Sequence, residues 1–147
     1  MPNHDLEIRF QIYRFFAEHC RAPSVREMAR LLGASVAEMR AAFQRLHERH
    51  MIFLDSETGK IRMANPFSAA PAGFRVRAGD KTWEANCAWD MLGIPAALGI
   101  DAQIEAHYPD ADQKIEFTVQ NGAVDGRGNV VWFAKPCREW YDDLVFT

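Results

Sequence analysis

Ser24-Val25-Arg26-Glu27-Met28-Ala29-Arg30-Leu31-Leu32-Gly33, followed by Ser35-Val36-Ala37-Glu38-Met39, decides how the front of this chain is read. Each stretch opens with a serine and has a glutamate three residues later. In that pairing the hydroxyl and the carboxylate satisfy free backbone amides at a helix start. Met28, Leu31 and Leu32 give the first of these helices an apolar face, and Gly33 suits a left-handed cap at its end. The second carries Met39, Phe43 and Leu46 on one side. Upstream, Leu6, Phe10, Tyr13 and Phe16 or Ala17 recur at helical spacing over residues 5–20, and Pro23 closes that segment. Downstream, Met51–Leu54 and Lys60–Met63 flank Asp55-Ser56-Glu57-Thr58-Gly59, a polar turn ending in glycine that signals a β-hairpin. Three helices followed by a hairpin predict a winged helix-turn-helix domain over residues 1–64.

Residues 64–73 hold Pro66 and Pro71 among small residues and read as an extended linker. Phe74–Arg77 and Lys81–Trp83 alternate across Ala78-Gly79-Asp80, a second hairpin. Glu84 to Leu92 is the next expected helix, broken or kinked by Gly93-Ile94-Pro95. After Gly99 the pattern predicts strands at Ala102–His107, Lys114–Gln120, Val130–Phe133 and Leu144–Phe146, with turns at Asn121-Gly122 and Gly126–Asn129. The expected architecture is therefore α+β. The winged helix precedes a small, mostly antiparallel β domain over residues 65–147 with one site-bearing helix.

Composition narrows the function classes. The chain has 147 residues and a net charge of −3, and 48% of its residues are hydrophobic, enough for a core. Residues 1–64 hold ten Lys/Arg against eight Asp/Glu, and residues 65–147 hold seven against twelve. The net charge argues against a protein coated for nucleic acid, which needs a clear basic surplus, and any such surface would lie in the first part. Arg26, Arg30, Arg40, Arg45 and Arg49 lie on the helix-turn-helix but interleave with Glu27, Glu38 and Glu48, the pattern of a solvated, salt-bridged face. The reading is thus against DNA as a partner. It is also against a membrane, since no run approaches the ~18 apolar residues of a span. The expected location is cytoplasmic, where Cys20, Cys87 and Cys137 stay reduced. Trp83, Trp89, Trp132 and Trp140 are expected in the core, with Trp89 also able to shape an apolar pocket.

The chemistry centres on Asn86-Cys87-Ala88-Trp89-Asp90. On a helix, residues three apart share a face, so the Cys87 thiol and the Asp90 carboxyl are expected to point into one space. A cysteine at a helix start is also favoured as a thiolate by the helix dipole. A thiolate is a nucleophile and a soft-metal ligand, and a neighbouring carboxyl holds or delivers a proton. Taken alone, the spacing equally describes a cysteine that fills the core beside a turn-capping aspartate.

The wider stretch from Trp83 to Gly99, WEANCAWDMLGIPAALG, resembles the signature of the organomercurial (alkylmercury) lyase family, with Asn65-Pro66-Phe67-Ser68 and the preceding helix-turn-helix similar in kind. That resemblance implies protonolysis of a carbon–mercury bond. Two cysteine thiolates bind the organomercurial, an aspartate carries a proton from thiol to carbon, and the mercuric ion left on the enzyme is removed by external thiols. Carried over by position, Cys87 is the first thiolate and Asp90 the proton carrier. No further cofactor is implied, the mercuric ion being a product of the substrate. The family places its second cysteine just before the last strand, where this chain has Tyr141 or Asp142. Cys137 lies about four residues upstream. It either completes a catalytic and metal-binding set with Cys87 and Asp90, by the loop folding back, or is an unrelated surface thiol. A non-catalytic soft-metal or thiol-binding protein and a metal-responsive DNA-binding regulator are the alternatives on the same scaffold.

Overall fold

The computed structural model describes residues 3–108, 113–126 and 128–142. Three helices come first: α1 (Asn3–His19), α2 (Val25–Leu32) and α3 (Val36–Glu48). Both serine–glutamate pairs form the full reciprocal cap. Ser24 and Ser35 accept from the amides of Glu27 and Glu38, whose carboxylates accept from the serine amides in return. Gly33 ends α2 at φ 66°.

The buried face of α1 is only partly the expected one: Phe16 is buried and Tyr13 packs against the core as read, but the rest of the stripe differs. Ile8, Ile12 and Phe16 point inward with Asp5, while Leu6 and Phe10 are 42% and 56% exposed. Two apolar stripes compete on this helix. The buried one includes a charge because Arg45 of α3 meets Asp5 with two hydrogen bonds, at 2.7 and 3.2 Å, and Arg49 adds a second cation at 3.8 Å. A paired carboxylate is tolerated inside where an unpaired one is not. On α2, Met28 and Ala29 are buried, and Leu31, expected in the core, is exposed. Met39, Phe43 and Leu46 of α3 are buried as expected, joined by Ala42.

A sheet follows, antiparallel at every pairing, in the order β1-β2-β3-β5-β4-β6-β7-β8. Its strands are β1 (Phe53–Leu54), β2 (Ile61–Ala64), β3 (Phe67–Ser68), β4 (Phe74–Ala78), β5 (Lys81–Ala85), β6 (Ala102–Tyr108), β7 (Gln113–Gln120) and β8 (Ala123–Val124). The expected linker therefore contains a strand. Phe67 and Ser68 are buried between β2 and β5, and Phe67 stacks on Phe16 at 5.3 Å. Two residues suffice because both neighbours supply ladder partners and Phe67 fills the space beneath α1.

The hairpin β4–β5 turns at Gly79, with φ 60°. Val76, Trp83, Ile104 and Phe117 lie across from one another on the core face. On the other face Arg75 and Lys114 bridge Glu84, Glu105 and Glu116. Asn121 and Gly122 both take positive φ (49° and 76°) and join β7 to β8, the Asn-Gly turn suited to a two-residue hairpin. Val130–Phe133 is not a strand: Val130 and Trp132 are 84% and 79% exposed, so no second face is available to bury an alternating pattern. The expected strand Leu144–Phe146 lies outside the described residues.

The site-bearing helix is α4 (Asp90–Leu98), which packs on β4 and β5. It begins six residues later than expected, because Trp83, Glu84 and Ala85 continue the ladder opposite Val76, Arg75 and Phe74. Pro95 lies inside α4 rather than ending it. Met91, Ile94 and Pro95 are buried, so packing of this face outweighs the one amide lost, and Gly99 (φ 63°) supplies the stop.

Candidate functional site

The site is the short turn between β5 and α4. Strand pairing fixes Ala85, and Asp90 opens α4, so Asn86, Cys87, Ala88 and Trp89 must turn the chain between two rigid elements. The Cys87 carbonyl accepts from Met91 N at 3.1 Å, which binds the turn to the first helical residues. The Cys87 sulfur accepts from the amides of Trp89 and Asp90 and lies against the Asp90 carboxyl. The expected shared space of thiol and carboxyl is therefore present, though it arises from a turn wound onto a helix start rather than from the middle of a helix.

Burial works against the thiolate expected at Cys87. Burial pushes the Cys87 thiol up, the Asp90 charge pushes it further, and the two backbone amides only partly oppose this. Burial also raises Asp90, while hydrogen bonds from Asn86 and Cys87 pull it back. Dipole stabilisation is thus the weaker effect here, because desolvation penalises both anions and the Asp90 charge further penalises the thiolate. The resulting pair is a thiol beside a carboxyl whose proton affinity is enhanced, an arrangement able to move a proton from sulfur to oxygen once a soft metal takes the sulfur.

Asn86 was not assigned a role by sequence reasoning. Its Nδ2 lies 3.2 Å from Asp90 Oδ2, 3.0 Å from Asn65 Oδ1 and 3.1 Å from the Phe67 carbonyl. Nothing in the spacing of residues 65, 67, 86 and 90 announces this cluster; it follows from β3 pairing beside β5. Close approach of the 65–67 segment also depends on Gly93. A Cβ there would stand 3.1 Å from Pro66 Cβ, tighter than ordinary contact.

Cys137 is exposed, at the start of a short 3-10 turn (Cys137–Glu139). Among the described residues no three His, Cys, Asp or Glu side chains come together as a metal-ligand set, so Cys87 and Asp90 are joined and Cys137 is not gathered with them. Aromatic contacts nevertheless tie its segment to the turn. Trp140 packs on Phe133 (5.0 Å between ring centroids), and Phe133 lies 6.3 Å from Trp89. Tyr141, one of the residues at the family's second-cysteine position, stacks on His50 at 4.2 Å. Of the tryptophans expected in the core, Trp83 is buried, Trp140 half-buried, and Trp89 and Trp132 exposed.

No helix among the described residues is long and apolar enough to cross a membrane. No curated protein matches this chain. Among solved structures, the mercury-bound form of MerB2 is similar at 24% identity with a TM-score of 0.67. The alignment covers 84% of this chain and 59% of that one, a likeness of fold. The family model described as alkylmercury lyase matches residues 67–147, more than half of the sequence and the whole of the Cys87–Asp90 turn. On that match this chain belongs to the alkylmercury lyase family.

Proposed function

We propose that the protein cleaves carbon–mercury bonds by protonolysis, with Cys87 as the first mercury-binding group and Asp90 as the proton carrier. The observation that carries this reading is the Cys87 thiol lying against a half-buried Asp90 carboxyl of raised proton affinity. As an organomercurial cation joins the Cys87 sulfur, the S–H bond breaks and Asp90 takes the proton. Asp90 then returns that proton to the mercury-bound carbon. The electron pair of the carbon–mercury bond becomes the new carbon–hydrogen bond, the hydrocarbon leaves, and mercury stays on sulfur in its divalent state. A second thiolate strengthens this step by donating charge to mercury. Cys137 is the candidate within the chain, and external thiols remove the product ion.

Residues 1–64 are read as a winged helix serving the enzyme rather than DNA, and residues 65–147 as the lyase domain. Arg45 of the third helix and Arg49 at its C-terminal cap face Asp5. The last turn of α1 is held by the sheet: Trp83 Nε1 donates to the Phe16 carbonyl and Lys81 Nζ to that of Ala17. The second reading, a soft-metal-binding protein without turnover, draws on the exposure of Cys137 apart from any three-ligand set.

The test is incubation of the full chain with a simple organomercurial and excess thiol, measuring hydrocarbon release. Release that disappears in both Cys87→Ser and Asp90→Asn, with mercuric-ion binding kept only in Asp90→Asn, supports the lyase. Tight mercury binding with no hydrocarbon favours the second reading, and unchanged mercury binding by Cys87→Ser removes Cys87 from the site.

A further inference from the structure

From Asn86 a single side chain reaches three segments around the site. Its Nδ2 meets Asn65 Oδ1 in the β2–β3 connection, the Phe67 carbonyl in β3, and Asp90 Oδ2 at the start of α4. The orientation of the amide is fixed by chemistry: reversed, it would place an oxygen against three acceptors. Two hydrogens serve three acceptors, and the Asn86 Oδ1 is buried with no partner. An amide that leaves its own oxygen unsatisfied is a costly choice for mere packing. Its donor geometry is what the site uses.

We propose that Asn86 is a positioning residue for the proton transfer: it fixes Asp90 by one carboxyl oxygen, Oδ2, so that the carboxyl stays aimed at the Cys87 sulfur and the carbon bound beyond it. Asn65 and the Phe67 carbonyl also accept from this amide, so the carboxyl is linked through Asn86 to β3 and the β2–β3 connection. This inference rests on the lyase reading above and adds to it a residue that touches neither mercury nor the reacting carbon.

The experiment separates adduct formation from cleavage in the full chain, using a simple organomercurial. Adduct formation in Asn86→Ala is expected to stay close to the parent, since Cys87 is intact. Hydrocarbon release from the preformed adduct is expected to fall by about 10- to 100-fold, as for loss of an orienting outer-shell partner. Asn86→His, whose Nδ1–H can stand in the place of the amide, is expected to recover release to within about tenfold of the parent. It also serves as the test if Asn86→Ala does not fold. Release from Asn86→Ala equal to the parent overturns the inference, as do adduct formation and release falling together, or Asn86→His being as inactive as Asp90→Asn. A parent that forms the adduct without releasing hydrocarbon defeats the lyase reading instead. The side-chain amide proton resonances of Asn86 then remain as the test. They are expected to shift in Asp90→Ala, and unchanged resonances overturn the Asn86–Asp90 link itself.

Discussion

The indole Nε1 of Trp83 donates to the main-chain carbonyl of Phe16 across 3.0 Å, joining the strand that leads into the site to the end of the first helix. Both side chains are buried. The acceptor is one of the last carbonyls of α1, where intrahelical partners run out. Trp83→Phe keeps most of the apolar volume and deletes the donor. It is expected to destabilise the fold by about 2 kcal/mol, read as a lower denaturation midpoint. Because the sheet and core run through both halves, parent and variant are each expected to unfold in a single transition. Two separated transitions in the parent would contradict that.

Asp90 is expected to weaken the fold that it serves. Its pKa is raised by burial above the ordinary 3.8, so the ionised form is disfavoured in the folded state. The contribution of such a carboxyl is most favourable below its unfolded pKa and is lost as pH rises through its folded one. Asp90→Asn should therefore be more stable than the parent at neutral pH, with the difference closing below about pH 4. Chemical denaturation at neutral and acid pH measures this. A variant less stable than the parent at neutral pH would show that the carboxylate is held favourably after all.

Glu27 gives the opposite sign. Arg21 and the Ser24 cap hold its pKa at about 2, below the ordinary 4.5. Stability from this group is present above pH 4.5 and lost as pH falls through about 2. Because the Arg21 pair is largely solvated, the capping contacts carry most of the effect. Glu27→Gln is expected to cost about 1 kcal/mol at neutral pH and much less near pH 2. An equal cost at both pH values would assign the effect to packing.

Cys137 separates the two readings of function. Its segment is linked through Trp140 and Phe133 to Trp89, inside the Cys87–Asp90 turn. If Cys137 supplies the second thiolate, Cys137→Ala should retain mercury on Cys87 and lose cleavage about as fully as Cys87→Ala. A Cys137→Ala protein that turns over like the parent would place the second group elsewhere, with an external thiol the first to test.

The helical front was legible because its signals are local. A serine, a glutamate three residues on and a terminal glycine act within one turn of chain, and all three behaved as read at α2. The site's neighbours Cys87 and Asp90 were legible for the same reason. What was missed depends on partners distant in sequence. Leu6 and Phe10 make as good a helical stripe as Ile8 and Ile12 until Arg45 arrives to neutralise Asp5. Glu84 looks helical until Arg75 pairs with it across β4–β5. Residues 65–68 look like a linker until β2 and β5 close on them, and Asn86 is an ordinary turn residue until that closure brings Asn65 within reach. At Cys87 the helix start favours an anion, but burial, which the local sequence does not show, pushes the thiol up and the Asp90 charge adds to it.

The two-residue strand β3 also bears on modularity. It marks where the family-matched portion begins, yet that portion is tied to residues that precede it. A fragment starting at Phe67 would leave behind Asn65, which anchors Asn86, and Pro66, which sits on Gly93. It would also lose Phe16, on which Phe67 stacks. Truncation or gene fusion at that boundary would cut through the brace of the site, so a transplantable unit must take the N-terminal helices with it.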